Sequence, residues 1–315
     1  PPVVQAELFA TLPDELAGRP ESSAWLQTQH HGRPMKAFLE GPSFDRAGNL
    51  YCVDIAYGRI LRVSPAGEFA VVAQYDGEPN GLKIHADGRL FVADHRHGLM
   101  IVDPVNGKVE PYLTRPGFER FHGLNDLHFA RNGDLYFTDQ GQTGLHDPSG
   151  RLYRLRPDGR LDLLLSNVPS PNGVALSPDQ AMVVVTDAGA RFSWSFQIAG
   201  DGGLKNGEPF FRLEMPEEGW RSEVRGAALD AIGQVYFATR LGVQMCEANG
   251  RVAALRSAIT RADAVEDLHG RTLAFATEVL PACQALREVL DSLEDQCDAR
   301  LWPLPKYREL LAPLG

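Results

Sequence analysis

The chain has only four cysteines in 315 residues, Cys52, Cys246, Cys283 and Cys297, and no two of them form a CxxC pair. That spacing excludes a cysteine-pair zinc site or a dense disulfide framework as the organising feature. Cys52 and Cys246 fall inside strand-like runs, where a free thiol packs as a small apolar side chain, and this usage favours a cytoplasmic location. Also missing is any apolar run near the roughly 20 residues of a membrane-spanning helix, so no membrane partner is expected. The N-terminus, PPVVQAELFA, has no basic segment followed by an apolar core; it also has no initiator Met, so a removed leader is compatible with it. Positive charge is in deficit, 31 Lys and Arg against 41 Asp and Glu, for a net charge of −10. This argues against a phosphate-binding face, and hence against a nucleic-acid partner, and suits a protein that binds a cation. No GxSxG elbow or Cys–His pairing points to covalent catalysis.

What the chain does contain is a repeat. FDRAGNLYCVD (Phe44 to Asp54) recurs as IHADGRLFVAD (Ile84 to Asp94), FARNGDLYFTD (Phe129 to Asp139), LSPDQAMVVVTD (Leu176 to Asp187) and LDAIGQVYFAT (Leu229 to Thr239). The final residues lie 40, 45, 48 and 52 positions apart. Each copy is an apolar residue, a polar turn and a β-branched or aromatic run, which reads as two strands joined by a tight turn. Further strand-like runs follow each copy, such as RILRVSP with EFAVVAQY and GVQMCEA with RVAAL. Four short strands per unit at this period make a propeller blade. The expected fold is all-β, a six-bladed type of β-propeller with four-stranded blades, five of them present and the sixth incomplete.

Outside the repeat, QAELFATL near the N-terminus reads as an outer strand, and the stretch holding His30 and His31 reads as a solvated lead-in loop. Beyond residue 257 the pattern changes. Val279, Cys283, Leu286, Leu290, Leu293 and Cys297 follow 4-3-4-3-4 spacing, one face of a helix. The expected organisation is a propeller over 1–257 and a helical tail over 258–315. The incomplete ring and the helix's apolar face both offer surfaces for self-association.

Chemistry is expected where each hairpin is entered. The entries are Glu40-Gly41-Pro42, Glu78-Pro79-Asn80-Gly81, Leu124-Asn125-Asp126, Pro171-Asn172-Gly173 and Val224-Arg225-Gly226. In a propeller such entries line one mouth of the central channel. Glu40, Asn125 and Asn172 would supply one carboxylate and two carboxamides from three blades, a set suited to a hard cation such as Ca²⁺. The same residues also suit plain turn-capping.

The series EGPSFDRAGNLYCVD, GLNDLHFARNGDLYFTDQGQTG and SPNGVALSPD resembles the senescence-marker-protein/gluconolactonase/luciferin-regenerating-enzyme-like (regucalcin-like) family over about residues 5 to 256. The resemblance implies a six-bladed propeller with one divalent metal in its channel, Ca²⁺ or else Zn²⁺ or Mn²⁺. It also implies a hydrolase acting on a small-molecule lactone or ester. It assigns Glu40, Asn125 and Asn172 as metal ligands and puts Asp126 beside the substrate. The family's fourth ligand, an Asp that also serves as base, is replaced by Arg225 in SEVRGAALD. The role of base would then fall to Asp126 or Glu223, and Arg225 and His122 become candidate substrate-binding residues. The substitution leaves a second reading open: a catalytically lapsed propeller that binds a ligand or a protein. A further stretch, AFATEVLPACQALREVLDSLEDQCDARLWPLPKYRELL, resembles the C-terminal helical tail of type III glutamine synthetases, which implies a fusion or truncation and no ligase activity.

Overall fold

A computed structural model describes residues 6–141, 148–217, 219, 222–231, 233–246, 267, 271–273 and 275–280. The chain divides into two compact units, Pro1–Ala228 with Phe237–Gln244, and Leu229–Tyr236 with Met245–Gly315.

The first unit is an all-β run of propeller blades. Blade 1 is β1 (Leu39–Phe44), β2 (Leu50–Asp54), β3 (Arg59–Val63) and β4 (Phe69–Gln74), antiparallel in chain order. Blade 2 is β5 (Pro79–Ile84), β6 (Leu90–Asp94), β7 (Gly98–Val102) and β8 (Val109–Leu113). β9 (Leu124–Phe129), β10 (Leu135–Asp139), β11 (Gly150–Leu155) and β12 (Leu161–Val168) form blade 3. Blade 4 consists of β13 (Pro171–Leu176), β14 (Met182–Asp187), β15 (Phe192–Ile198) and β16 (Leu204–Arg212). A fifth sheet holds β17 (Ala227–Leu229), β18 (Val235–Thr239) and β19 (Gly242–Cys246). It is three-stranded among the described residues, against the four strands expected, because RVAAL lies outside them.

The repeat's turns form as their chemistry requires. Gly48 (φ 82°) and Gly133 (φ 89°) take the left-handed backbone that closes the first and third hairpins. The second strand of each of the first four blades is buried on both faces, so its residues point alternately to the two sides of the sheet. Tyr51, Val53 and Ile60 of blade 1 pack against Leu82, Leu90, Val92 and Met100 of blade 2. Phe91 and Leu99 then face Leu127, Phe137 and Tyr153 of blade 3, whose Tyr136 and Leu152 meet Val174, Val183 and Val185 of blade 4. The core is thus a series of seams between blades, and the inner strands β1, β5, β9 and β13 lie side by side.

The N-terminal segment departs from expectation. The described part of QAELFATL forms no strand, and Leu8 and Phe9 are exposed. The segment after it is not a plain loop, since it contains α1 (Ala24–Gln29), capped by Ser23 Oγ accepting from Leu26 N at 3.1 Å. α1 is fixed to blade 1: Leu26 is fully buried, Ser23 Oγ donates to Ala56 O at 2.5 Å, and Arg59 Nη1 donates to Leu16 O at 2.7 Å. Burial of Leu26 and these bonds outweigh the strand pattern, since no neighbouring strand gives QAELFATL a ladder.

In the second unit, residues 271–273 and Phe275–Val279 are helical, the latter as a π-helix. The apolar stripe beyond Val279 and the glutamine-synthetase-like ending lie outside the described residues. Cys52 and Cys246 are free, and burial pushes each thiol up to about 11. Among the described residues no helix is long and apolar enough to cross a membrane.

Candidate active site at the inner-strand entries

Four blades enter their hairpins in the same register. The first residue of each inner strand pairs with the aspartate that ends the second strand: Leu39 with Asp54, Pro79 with Asp94, Leu124 with Asp139, Pro171 with Asp187. In blades 2, 3 and 4 the pairing is irregular just after this position, a local bulge at the next residue, while in blade 1 Glu40 still pairs with Val53 and the irregularity follows it. Glu40, Asn80, Asn125 and Asn172 therefore occupy equivalent places. In the fifth sheet Arg225 N donates to Ala238 O at 2.8 Å and Ala238 N to Gly226 O at 3.1 Å, which gives Arg225 the corresponding place there. Asn80 is the member that the sequence reading passed over.

The four aspartates are fully buried, and each holds the backbone that leads into its own entry. Asp54 accepts from Phe38 N, Asp94 from Glu78 N, Asp139 from His122 N and Asp187 from Ser170 N, at 2.9–3.1 Å. Burial raises the carboxyl pKa of Asp54, Asp139 and Asp187. The fifth blade has Thr239 at this position, whose hydroxyl donates instead to Gly242 O at 2.7 Å.

Threonines tie neighbouring entries together. Thr138 Oγ1 accepts from Asp126 N at 3.0 Å and donates to Asn172 O at 2.5 Å. Thr186 Oγ1 repeats this one blade on, accepting from Gly173 N and donating to Arg225 O, both at 2.6 Å. Glycine follows because the inner strands nearly touch. A Cβ on Gly81 would lie 2.5 Å from Asn125 O, and one on Gly173 would lie 2.8 Å from Ala227 N.

Within this frame the predicted residues differ in how they are engaged. Asn125 is buried and donates its amide nitrogen to Gln140 Oε1 at 3.1 Å, while Gln140 donates to Ser170 Oγ at 3.0 Å. That arrangement leaves the Asn125 carbonyl oxygen for a ligand. Asn172 is also buried. The Glu40 carboxyl is raised by burial and by the nearby Asp126 charge, and the Arg225 charge opposes both. Asp126 uses both oxygens on backbone, accepting from Leu127 N at 2.8 Å and Val174 N at 3.1 Å, with Lys83 Nζ 3.9 Å away. His122 sits at the lead into β9, 3.9 Å from Glu119. Glu223 has a left-handed backbone (φ 49°), uncommon for its type, between buried Ser222 and Val224. Asp230 belongs to the β17–β18 turn, where it accepts from Gln234 N at 2.9 Å. His128 is pushed down to about 4 by burial and by Lys83.

His30 has a place that its sequence context hid. It ends α1, with its ring 4.8 Å from Trp25 and 5.3 Å from Phe38, and Trp25 and Phe38 are 5.0 Å apart. Burial and the charge of Arg225 both lower its pKa.

Among the described residues no three His, Cys, Asp or Glu side chains gather as a metal cluster. The set Glu40, Asn125 and Asn172 has a different composition, one carboxylate and two carboxamides. These are oxygen donors of the kind a hard cation takes, and Arg225 stands at the corresponding entry of the fifth sheet.

The fold defines a class: a blade-repeat protein whose innermost strands begin with polar residues in matching places. The chain belongs to the SMP-30/gluconolactonase/LRE-like family, whose model matches residues 38–258. It is 32% identical over 212 residues to the gluconolactonase of Zymomonas mobilis, covering 61% of this chain and 56% of that protein. With the lactonase drp35 of Staphylococcus aureus it shares 29% identity over 187 residues, 56% of this chain and 55% of that one. The chain thus spans about half the length of these curated relatives. A solved gluconolactonase from Xanthomonas campestris superposes with a TM-score of 0.59 at 25% identity, covering 68% of this chain and 74% of that one.

Proposed function

We propose that the chain hydrolyses a lactone or a related ester at the inner-strand entries of its first unit. The observation that carries this reading is the register-matched set Glu40, Asn125 and Asn172 in a chain of this family. The three would hold one divalent cation, Ca²⁺ best and Zn²⁺ or Mn²⁺ in its place, since all three accept carboxylate and carbonyl oxygens. Such a cation, when bound, polarises an acyl carbonyl and acidifies a water. The remaining work belongs to the chain's own groups. Glu40 contributes the negative charge, and Gln140 fixes the Asn125 carboxamide so that its oxygen faces the ligand. Asp126, or Glu223 in its place, takes the proton of the attacking water. Arg225 and His122 orient the substrate. Water oxygen bonds to the acyl carbon, the acyl C–O bond breaks, and the departing oxygen takes up a proton to give a hydroxy acid.

The test is a pH-indicator assay over a panel of sugar and simple lactones with Ca²⁺ present. At least one lactone should open above the blank, and Glu40→Gln should lower kcat/KM by about 100-fold or more, as lost charge stabilisation at a reacting centre does. A panel with no turnover ends the hydrolase reading. One observation favours a second reading, a propeller that binds such ligands without turning them over. The Arg225 charge acts on Glu40, and it weakens any cation held there by like-charge repulsion. Binding of the panel without ring opening would select that reading.

A further inference from the structure

In two blades the residue that follows the repeat's terminal aspartate reaches the lead-in of the next blade. This residue is Ile55, His95, Gln140 and Ala188 in blades 1 to 4. In blade 2 the His95 ring lies against Gly123, where a Cβ would come within 2.2 Å of its Cε1. In blade 3 Gln140 Nε2 donates to Ser170 Oγ at 3.0 Å. Gly123 and Ser170 hold matching places, each two residues ahead of an entry asparagine. Backbone bonds fix both ends of the Gln140–Ser170 bridge. Gln140 N donates to Gly123 O at 2.9 Å, Ser170 N to Asp187 Oδ1 at 3.1 Å and Ala188 N to Ser170 O at 2.9 Å. Two residues before Gln140, Thr138 Oγ1 donates to Asn172 O, so blade 3 meets the start of blade 4 at two alternating positions.

The bridge continues at the other end of the Gln140 amide, whose Oε1 accepts from Asn125 Nδ2 at 3.1 Å. A carboxamide carries an oxygen on one side and an NH₂ on the other, and only the oxygen attracts a cation. With its NH₂ engaged by Gln140, Asn125 keeps that oxygen for a ligand. Asn172 is buried as well, but its carboxamide has no such side-chain tie among the described residues, and Ala188 stands where its own blade would place the glutamine. We propose that Gln140 and Ser170 are positioning residues that act in series. Ser170 holds Gln140, Gln140 holds the plane of the Asn125 carboxamide, and the alignment of blade 4 is thereby carried to a ligand oxygen of blade 3. A group held in place before its ligand arrives costs less to order on binding. That the ligand is a divalent cation rests on the hydrolase reading; the series of bonds does not.

The test reads the Asn125 side-chain amide by heteronuclear NMR in the chelator-stripped full chain, its signal assigned by its loss in Asn125→Asp. Gln140→Met keeps the bulk and removes both bonds, and should speed hydrogen exchange of that amide about three- to tenfold, the range of one net hydrogen bond. Ser170→Ala should speed it less, and should add nothing once Gln140 is replaced, since the bonds lie in series. Gln140→Glu keeps an acceptor for both Asn125 and the Ser170 hydroxyl, and should restore protection. Calorimetric titration of Ca²⁺ into the same proteins should follow the same order, with Gln140→Met about tenfold weaker than the wild type. Circular dichroism checks that each variant is folded; the Glu variant keeps the test informative if Met perturbs the seam. An amide whose exchange ignores Gln140→Met, or a Ser170→Ala effect that adds to it in full, overturns the proposal. Because exchange is read without a cation, the two readings fail separately. The expected exchange pattern in a chain that binds no Ca²⁺ removes only the cation and hydrolase reading, and Ca²⁺ binding with no exchange response removes only the positioning role.

Discussion

His128 makes stability depend on pH in a direction that can be worked out. Its ring lies in β9, across from Tyr136, where burial and the Lys83 charge push its pKa from 6.5 to about 4, with Asp126 opposing. The folded chain therefore keeps His128 neutral at pH values where the unfolded chain has protonated it. A depressed histidine pKa means that the unfolded state binds more protons between pH 4 and 6.5, so stability falls as the solution is acidified through that window. At pH 5 the two pKa values correspond to a loss of about 2 kcal/mol relative to pH 8, from this residue alone. Carboxylates also titrate toward the lower end, so the informative quantity is a difference between two proteins. Urea unfolding followed by tryptophan fluorescence would be measured at pH 8, 6 and 5 for the wild type and His128→Gln. The variant starts less stable at pH 8 through lost packing, but it should lose about 2 kcal/mol less than the wild type between pH 8 and 5. Parallel losses in the two proteins would refute the argument that His128 is held neutral by its surroundings.

Two further substitutions test the frame that supports the entries. Gly81→Ala puts a Cβ 2.5 Å from Asn125 O and should cost about 1–3 kcal/mol, measured by urea unfolding, because backbone on both sides must shift. Asp54→Ala strips the carboxylate from Arg59, whose side chain is 8% exposed, and leaves Phe38 N without its acceptor; it should destabilise by about 3–5 kcal/mol, read as a fall in the denaturation midpoint.

Much of the frame is legible in the sequence because turn chemistry and strand alternation are local. The hairpin repeat identifies the blades, and the entries Glu40, Asn125, Asn172 and Arg225 can be found by their place ahead of each hairpin. The equivalence of Asn80 was available too, since the tripeptide PNG occurs at both 79–81 and 171–173. What escaped depends on contacts distant in sequence. The aspartate that ends each repeat looks like a strand terminus, yet it anchors the lead-in to its own entry, 16 residues earlier in the chain for Asp54. The roles of Thr138 and Thr186 need two blades in contact before they exist. His30 reads as a loop residue because nothing in QTQHHG reveals that α1 docks on blade 1 through Leu26 and brings the ring to Phe38. The alternation in QAELFATL misleads for the same reason, since a strand requires a partner edge that the pattern does not supply.

Calorimetric titration of Ca²⁺, and separately Zn²⁺, into chelator-stripped protein tests most directly whether the inner-strand entries form a functional site. The wild type should bind one cation per chain, Glu40→Gln should bind none, and Arg225→Asp should bind more tightly, because a repelling charge becomes a fourth oxygen donor. Cation binding that survives Glu40→Gln unchanged, or that Arg225→Asp fails to strengthen, would contradict it.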